Sequence, residues 1–564
     1  MGQMHFYVPD AAADFFHQCH WQEAYLCGIE GVPWQSRNIF HPSNDPSVLP
    51  TEEHADQPEA DGGGVLTLNR AVDTSAKLLL TCPVEGIGFR VLTTCSLRCV
   101  ETPHNLLVEL ARGSCHRVRI QADTWQRGGL TLSEKFNQLI GQGVTAFLDA
   151  IQPTNSALKP ETPEFEAEVT QSAIQAIALL EQAASELGEL FATQSMAFRR
   201  TREPRLSTMM AVGVCPASRA ETASAANSAT NPDDTIGGLS AEESVVPGFG
   251  EDGIGQAFNA AAVRISWGDI ENDSGSNDFG PVTRVLEACE QSGTRVIGGP
   301  IIDHRDGLLP DWLTLLGDDF EQLMSAMTQF VEATVNQFRG RVHLWNAAAG
   351  LNIVGPLSLD DEQIMRFSIG ILQTIRRCDP NTPVIMSIDQ PCGEYLARHA
   401  NGISPIHFAD ALLRSGLGLA GIGLNFRFGY SKGQTHPRSP VEFAQLIDRW
   451  ATLNSPLLVQ LSVPAAPGED ADARMKVSPV ALSPGMNGTL DCEHQSKAWA
   501  DQQYAFARPL VQTLLAKQIV HAVVWDGWSD QLPHLSPHSG VIDGAGNARP
   551  ILRYLTELRE EVLM

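Results

Sequence analysis

Acidic and imidazole side chains recur at the ends of apolar runs in the C-terminal two-thirds of the chain, where a strand would hand over to a loop. Asp303 and His304 are adjacent; because histidine titrates near neutrality, the two could serve as an acid/base dyad or as metal ligands. A hydrogen-bonded pair that closes the turn is the competing reading. Asp389, Glu394, Asp526 and Asp530 occupy comparable positions, and Glu493 lies in a later polar stretch. Asp526 and Asp530 could equally cap a helix or turn. Arg427 could clamp a carboxylate with its two-pronged guanidinium, or pair with a rim aspartate. Gln460 could offer its amide to a ligand hydroxyl or to the fold itself. His17-Gln18-Cys19-His20 lacks a second ligand pair at a recognised spacing, so no metal site is expected there. Gly62-Gly63-Gly64 is not followed by the Lys-Ser/Thr of a phosphate loop. Cys95 and Cys99 read as core thiols, and no cofactor is implied.

The bulk properties narrow the partners. Length alone, 564 residues, suggests two or three folded units, and 43% hydrophobic with 19% charged residues is a globular composition. Lys and Arg total 39 against 66 for Asp and Glu, a formal charge of −27. Such a field repels phosphate backbones and anionic lipid, so neither nucleic acid nor a membrane surface is expected, while a neutral ligand is compatible. The first residues, MGQMHFYVPDAAADFF, show no basic stretch followed by an apolar run, so no signal peptide is evident. No apolar run approaches the ~20 residues of a bilayer span. The eleven cysteines show no pairing rhythm and read as buried thiols of a reducing compartment, with the cytoplasm expected. Oligomeric state is not legible.

The elements that must position these residues alternate in type. Residues 1–103 carry short β-like runs (Val65–Leu68, Leu78–Cys82, Gly88–Leu92) and a polar, acidic loop from Asp45 to Gly64, which predicts a β-rich N-terminal domain. Residues 104–203 turn to helical periodicity and helix-forming composition, predicting a helical connector or subdomain. From 204 to 564, eight apolar strands are expected at Ser207–Val214, Ala261–Ile265, Arg295–Ile302, Val342–Trp345, Val384–Ile388, Ala420–Leu424, Leu457–Leu461 and His521–Trp525. Amphipathic helices separate most of them. That alternation fits a closed (β/α)8 barrel of the α/β class, whose site lies at the C-terminal ends of the strands. Two insertions, 217–250 and about 465–498, interrupt it.

Five stretches, in order, resemble glycoside hydrolase family 10, the endo-1,4-β-xylanase type. They are Phe258-Asn259-Ala260 with Trp267-Gly268-Asp269-Ile270-Glu271; Gly298–Asp303 with His304 and Leu309-Pro310-Asp311-Trp312-Leu313; His343-Leu344-Trp345-Asn346; Gly421-Ile422-Gly423-Leu424-Asn425; and Val524-Trp525 through Ser529-Asp530 to Arg549-Pro550-Ile551-Leu552. The resemblance implies a barrel acting on xylan-like glycans with two carboxylates, one an acid/base and one a nucleophile, about 5–5.5 Å apart. It places the acid/base at Ala347 and the nucleophile at Gln460, and neither side chain can do that chemistry. No glutamate occurs between Asn454 and Pro467, so a register slip does not restore the nucleophile. The family's Glu-Asn and Lys near the second strand are also replaced, with Arg264 and Ser266 there; its histidines of strands six and three fall on Arg427 and Gly299.

Two readings follow: hydrolysis by relocated carboxylates, with Asp389 and Asp526 the best pair and Asp303 and His304 in support, or glycan binding without turnover. A structural or interaction barrel is the third. An oligo- or polysaccharide partner would meet Asn346, Asn425, Arg427 and Gln460. Trp345, Trp525 and Trp528 could stack on sugar rings; interior packing competes for the first two, and Trp528 is the better platform. The N-terminal β unit could bind carbohydrate, pack on the barrel or mediate oligomerisation.

Overall fold

The computed structural model describes residues 2–42, 62–151, 163–217, 248–249, 253–271, 273–316, 319–399, 402–431, 435–486 and 492–563. In the N-terminal region, alternating apolar strands form two four-stranded sheets. One orders Arg37–Pro42, Gly64–Arg70, Gly2–Val8 and His104–Asn105; the other orders Pro33–Trp34, Tyr25–Cys27, Lys77–Val84 and Gly88–Thr93. The next segment is helical: α1 (Leu106–Arg127), α2 (Glu134–Ile151) and α3 (Pro163–Arg202). Asn105 caps α1 by accepting the Val108 N–H at 3.2 Å. Sheets and helices share one core, in which Met4, Phe6, Leu68 and Leu80 meet Leu107, Ala173 and Leu180. The helical segment is thus packed structure rather than a spacer. Most of the Asp45–Gly64 loop, and most of the 217–250 insertion, lie outside the described residues.

Eight runs rich in Ala, Val, Ile and Leu become parallel strands: β1 (Met209–Val214), β2 (Ala260–Val263), β3 (Arg295–Gly298), β4 (Leu344–Ala349), β5 (Val384–Asp389), β6 (Gly421–Arg427), β7 (Leu457–Ser462) and β8 (Val520–Trp525). Each pairs with the next, and β8 pairs with β1, closing a barrel. Strands covered on both faces need apolar side chains in both directions, hence the near-continuous hydrophobic runs. Inward positions such as Ala211, Ala260, Ile297, Ile385, Leu458 and Val524 fill the interior. Outward positions such as Val212, Val263, Trp345 and Val459 pack on the helices. Each fully buried Val, Leu or Ile contributes roughly 1.5–3 kcal/mol.

The outer ring comprises α4 (Gly280–Ser292), α5 (Phe320–Phe338), α6 (Asp361–Cys378), α7 (Pro405–Arg414), α8 (Pro440–Ala451), α9 (Cys492–Ala516) and α10 (Pro550–Glu561). Reciprocal side-chain caps fix where α6 and α8 begin, Asp360 with Gln363 and Ser439 with Glu442. Among the described residues no helix is long and apolar enough to cross a membrane. The ten cysteines whose side chains are described are all free thiols.

The N-terminal unit packs on the barrel. Ser36 N–H donates to the Ala397 carbonyl at 3.3 Å, Val91 N–H to Pro437 at 2.8 Å and Phe89 N–H to Leu482 at 2.8 Å. These bonds stitch one β-rich unit to the loops after β5, β6 and β7. Side chains reinforce the seam, with Thr81 Oγ1 3.1 Å from His436 Nδ1 and Arg438 donating to the Tyr25 hydroxyl at 2.9 Å.

Candidate functional site

Along the strands the inward side chains turn polar toward the C-terminal end. Ala262 is followed two residues on by Arg264, Leu344 by Asn346, Gly423 by Asn425, Leu458 by Gln460 and Val524 by Asp526. The polar members of that series meet around a cavity of about 40 Å³, space for about three waters at ~10–15 Å³ each. Gly213 is required here: a Cβ at that position would stand 2.0 Å from the Asp526 carbonyl oxygen.

One half of the mouth is a lattice of arginine and aspartate. Arg264 donates to Asp269 at 2.5 Å, to Asp303 at 2.6 Å and to Ser266 at 3.0 Å. Arg305 grips Asp303 with two bonds of 2.7 and 2.6 Å, and its third nitrogen lies 3.5 Å from Asp389. Arg427 holds Asp389 bidentately at 3.0 and 2.7 Å. Asp303 and Asp389 are fully buried. Burial alone would push the Asp303 carboxyl up; the guanidiniums of Arg305 and Arg264 overcome it and hold Asp303 far below the ordinary carboxylate range. A general acid must hold a proton near neutral pH, and Asp303 is held in the opposite state.

The other half carries no arginine on its carboxylate. Asp526 accepts from Gln460, from Ser462 at 3.1 Å and from Ser539 at 3.3 Å, and it lines the cavity. Asp530 turns away into the loop after β8, accepting from Gly540 N–H at 2.8 Å and pairing with Arg549 at 2.6 Å where α10 begins. Glu394 pairs with Arg438 at 2.8 Å on the seam with the N-terminal unit.

The structure therefore brings Asn346, Asn425, Gln460 and Asp526 onto one cavity and gathers Asp303, Asp389 and Arg427 into one ion-pair network. Asp389 does not line the cavity with Asp526. Arg427 forms the rim pair with aspartate rather than presenting an open fork. His304 is buried with Nδ1 3.4 Å from the Gly350 carbonyl rather than on Asp303, and burial lowers its pKa below the ordinary value. No group of three His, Cys, Asp or Glu among the described residues could hold a metal. Trp345 donates to Asp379 at 3.0 Å and Trp525 to the Ser539 carbonyl at 2.9 Å, and both are almost wholly buried, which is the interior-packing role. Trp528 is 7% exposed and meets Phe258 edge to face, so its ring packs instead of offering a platform. Ala347 faces the outer core. Glu493 falls within α9.

Arg305 and Asp269 were not singled out from the sequence. A signal existed for the cluster: Arg264 continues the inward alternation of Ala260 and Ala262, and Arg305 directly follows Asp303-His304. Ser462 and Ser539 carried none, since serine at a strand end is commonplace.

The chain is similar in structure to xylanases. Xylanase 10B from Thermotoga maritima aligns with TM-score 0.41 and 13% identity over 65% of this chain and 97% of its own. Xylanase 10B from Thermotoga petrophila RKU-1, in complex with xylobiose, gives 0.40 and 14% over 66% and 97%. Xylanase XynB from Paenibacillus barcinonensis gives 0.39 and 14% over 66% and 98%. No protein-family model and no curated protein matches the chain. Likeness at this level concerns the fold, which the strand pairing already establishes.

Proposed function

We propose that this chain is a xylanase-like barrel that does not hydrolyse glycosides and instead holds a sugar-like polyhydroxyl ligand at the β6–β8 side of its mouth. One observation carries the reading: each buried carboxylate of the mouth is committed, Asp303 and Asp389 to arginines and Asp526 to an amide and two hydroxyls. Hydrolysis needs a protonated acid and an ionised nucleophile facing one another across the bond. The positions that the sequence resemblance assigns to them hold Ala347 and Gln460. Beside Arg264 and Arg305, which are held by aspartates, the cavity offers the amides of Asn346, Asn425 and Gln460. The Asn425 Oδ1 is buried with no hydrogen-bond partner, and an amide oxygen of that kind suits a ligand hydroxyl.

The test is calorimetric titration of xylobiose and xylotriose into wild type and into the double variant Asn425→Ala, Gln460→Ala. Heat of binding in wild type that disappears in the variant supports the reading; no heat in either removes it for these sugars. A second reading, a purely structural barrel, is favoured by the roofing of the mouth, where Leu308, Met475 and Leu535 pack together above the cavity. Absence of binding across neutral and acidic sugars would favour that reading.

A further inference from the structure

The roof is built from residues 465–482, which follow β7 and are fastened at two ends. At one end Val480 N–H donates to the Gly429 carbonyl at 2.8 Å and Ser431 N–H to Ser478 at 2.9 Å, while Leu482 is held by Phe89. At the other end, Ala465, Arg474 and Met475 donate N–H bonds of 2.9, 2.9 and 3.0 Å to the carbonyls of His538, His534 and Leu535 in the loop after β8. Leu535 lines the cavity, so this second fastening sets how closely the mouth is covered.

One side-chain cluster joins the two strips. The Oδ2 of Asp470 accepts from the His538 N–H at 2.9 Å, lies 2.8 Å from His534 Nε2 and 3.3 Å from His538 Nδ1. The other ring nitrogen of His534, Nδ1, lies 2.7 Å from the Leu532 carbonyl oxygen. Both nitrogens of His534 thus face acceptors that cannot donate. A neutral imidazole has one N–H and leaves one of these contacts a clash of lone pairs; an imidazolium satisfies both. His538 adopts φ +50°, in the left-handed region, and its Nε2 is buried without a partner.

We infer that His534 is a proton-operated latch: as an imidazolium it bolts residues 465–475 to the loop after β8 across the barrel mouth, and loss of its proton releases that end of the roof. The charged groups around it agree. Burial opposes the charge, but Asp470 from the roof, Asp530 from its own loop (itself paired with Arg549) and the Leu532 carbonyl raise the His534 pKa above its ordinary value. Burial of Asp470 is outweighed by His534 and His538, which hold its carboxyl well below the usual range. The group with the raised pKa contributes closure below the ordinary histidine value and loses it as pH rises through the raised one. Closure is therefore complete in mild acid and weakens as pH rises past the ordinary histidine value, for any occupant of the cavity.

Hydrogen exchange of the full chain, corrected for intrinsic amide rates, reads this directly. Between about pH 6 and about pH 8.5, protection of the Arg474 and Met475 amides is expected to fall by up to about tenfold per pH unit across the window between the ordinary histidine value and the raised one, and to level off above it, while amides of β5 hold constant. His534→Gln, which keeps one donor and cannot ionise, is expected to show lower protection at the acidic end and no pH dependence. Asp470→Asn, which removes the facing charge, moves the fall to lower pH. Equal protection at both pH values in wild type, or the same fall in His534→Gln, overturns the latch.

Discussion

The two halves of the barrel mouth solve the same problem differently. From β2 to β6, buried aspartates are neutralised by buried arginines, with Asp303 and Asp389 each contacting two guanidiniums. Beside β7 and β8, Asp526 is held, among the described residues, by neutral donors. A paired charge removed from water is stable only while its partner stays, so the carboxylates of the first half are tied to their arginines. A carboxylate held by hydroxyls and an amide has no counter-charge fixing it in place. On the proposed reading, the first half is structural and the second is where a ligand would sit.

The largest effect should come from breaking the lattice. Arg305→Met strands Asp303 beside a single arginine and weakens the hold on Asp389, and should cost about 3–5 kcal/mol in urea unfolding. Asp526→Ala leaves Gln460 and Ser539 without their acceptor, while Ser462 keeps the Tyr430 hydroxyl, a loss of about 1–3 kcal/mol. If the second change costs as much as the first, the two halves do not differ in kind. The acid limb sharpens the contrast. Asp303 has a folded pKa below its unfolded one, so its contribution is present above the ordinary aspartate value and is lost as pH falls through the depressed value. Below about pH 4, stability should fall less steeply with pH in Asp303→Asn than in wild type, by up to ~1.4 kcal/mol per pH unit. Gln460→Ala should be mildest, about 1 kcal/mol, because Ser462 and Ser539 still serve Asp526.

The barrel was legible because its strands are buried on both faces and read as apolar runs; all eight expected runs overlap observed strands. The fourth shows the limit. Val342–Trp345 was expected, yet the strand is Leu344–Ala349, because pairing of Asn346 and Ala349 with Ile385 and Ser387 carries an Asn-Ala-Ala-Ala run into the sheet against its local preference. Helix α9 begins at Cys492, inside the stretch of about 465–498 that reads as an insertion. At the site, the strand-end positions were legible from alternation, but the partners were not. Which arginine meets which aspartate depends on the barrel bringing 264, 303, 305, 389 and 427 to one rim, and no local pattern encodes that. The roof was equally hidden, since Asp470 and His534 are 64 residues apart.

The claim that this mouth binds without cleaving is tested most directly by hydrolysis. Wild type, Asp389→Asn and Asp526→Asn would be incubated with xylan, xylo-oligosaccharides and aryl β-glycosides, and reducing ends or released aryl groups measured. The account predicts no product above background in any of the three. Turnover by wild type that is lost in Asp526→Asn or Asp389→Asn would contradict it and show that a relocated carboxylate does the chemistry.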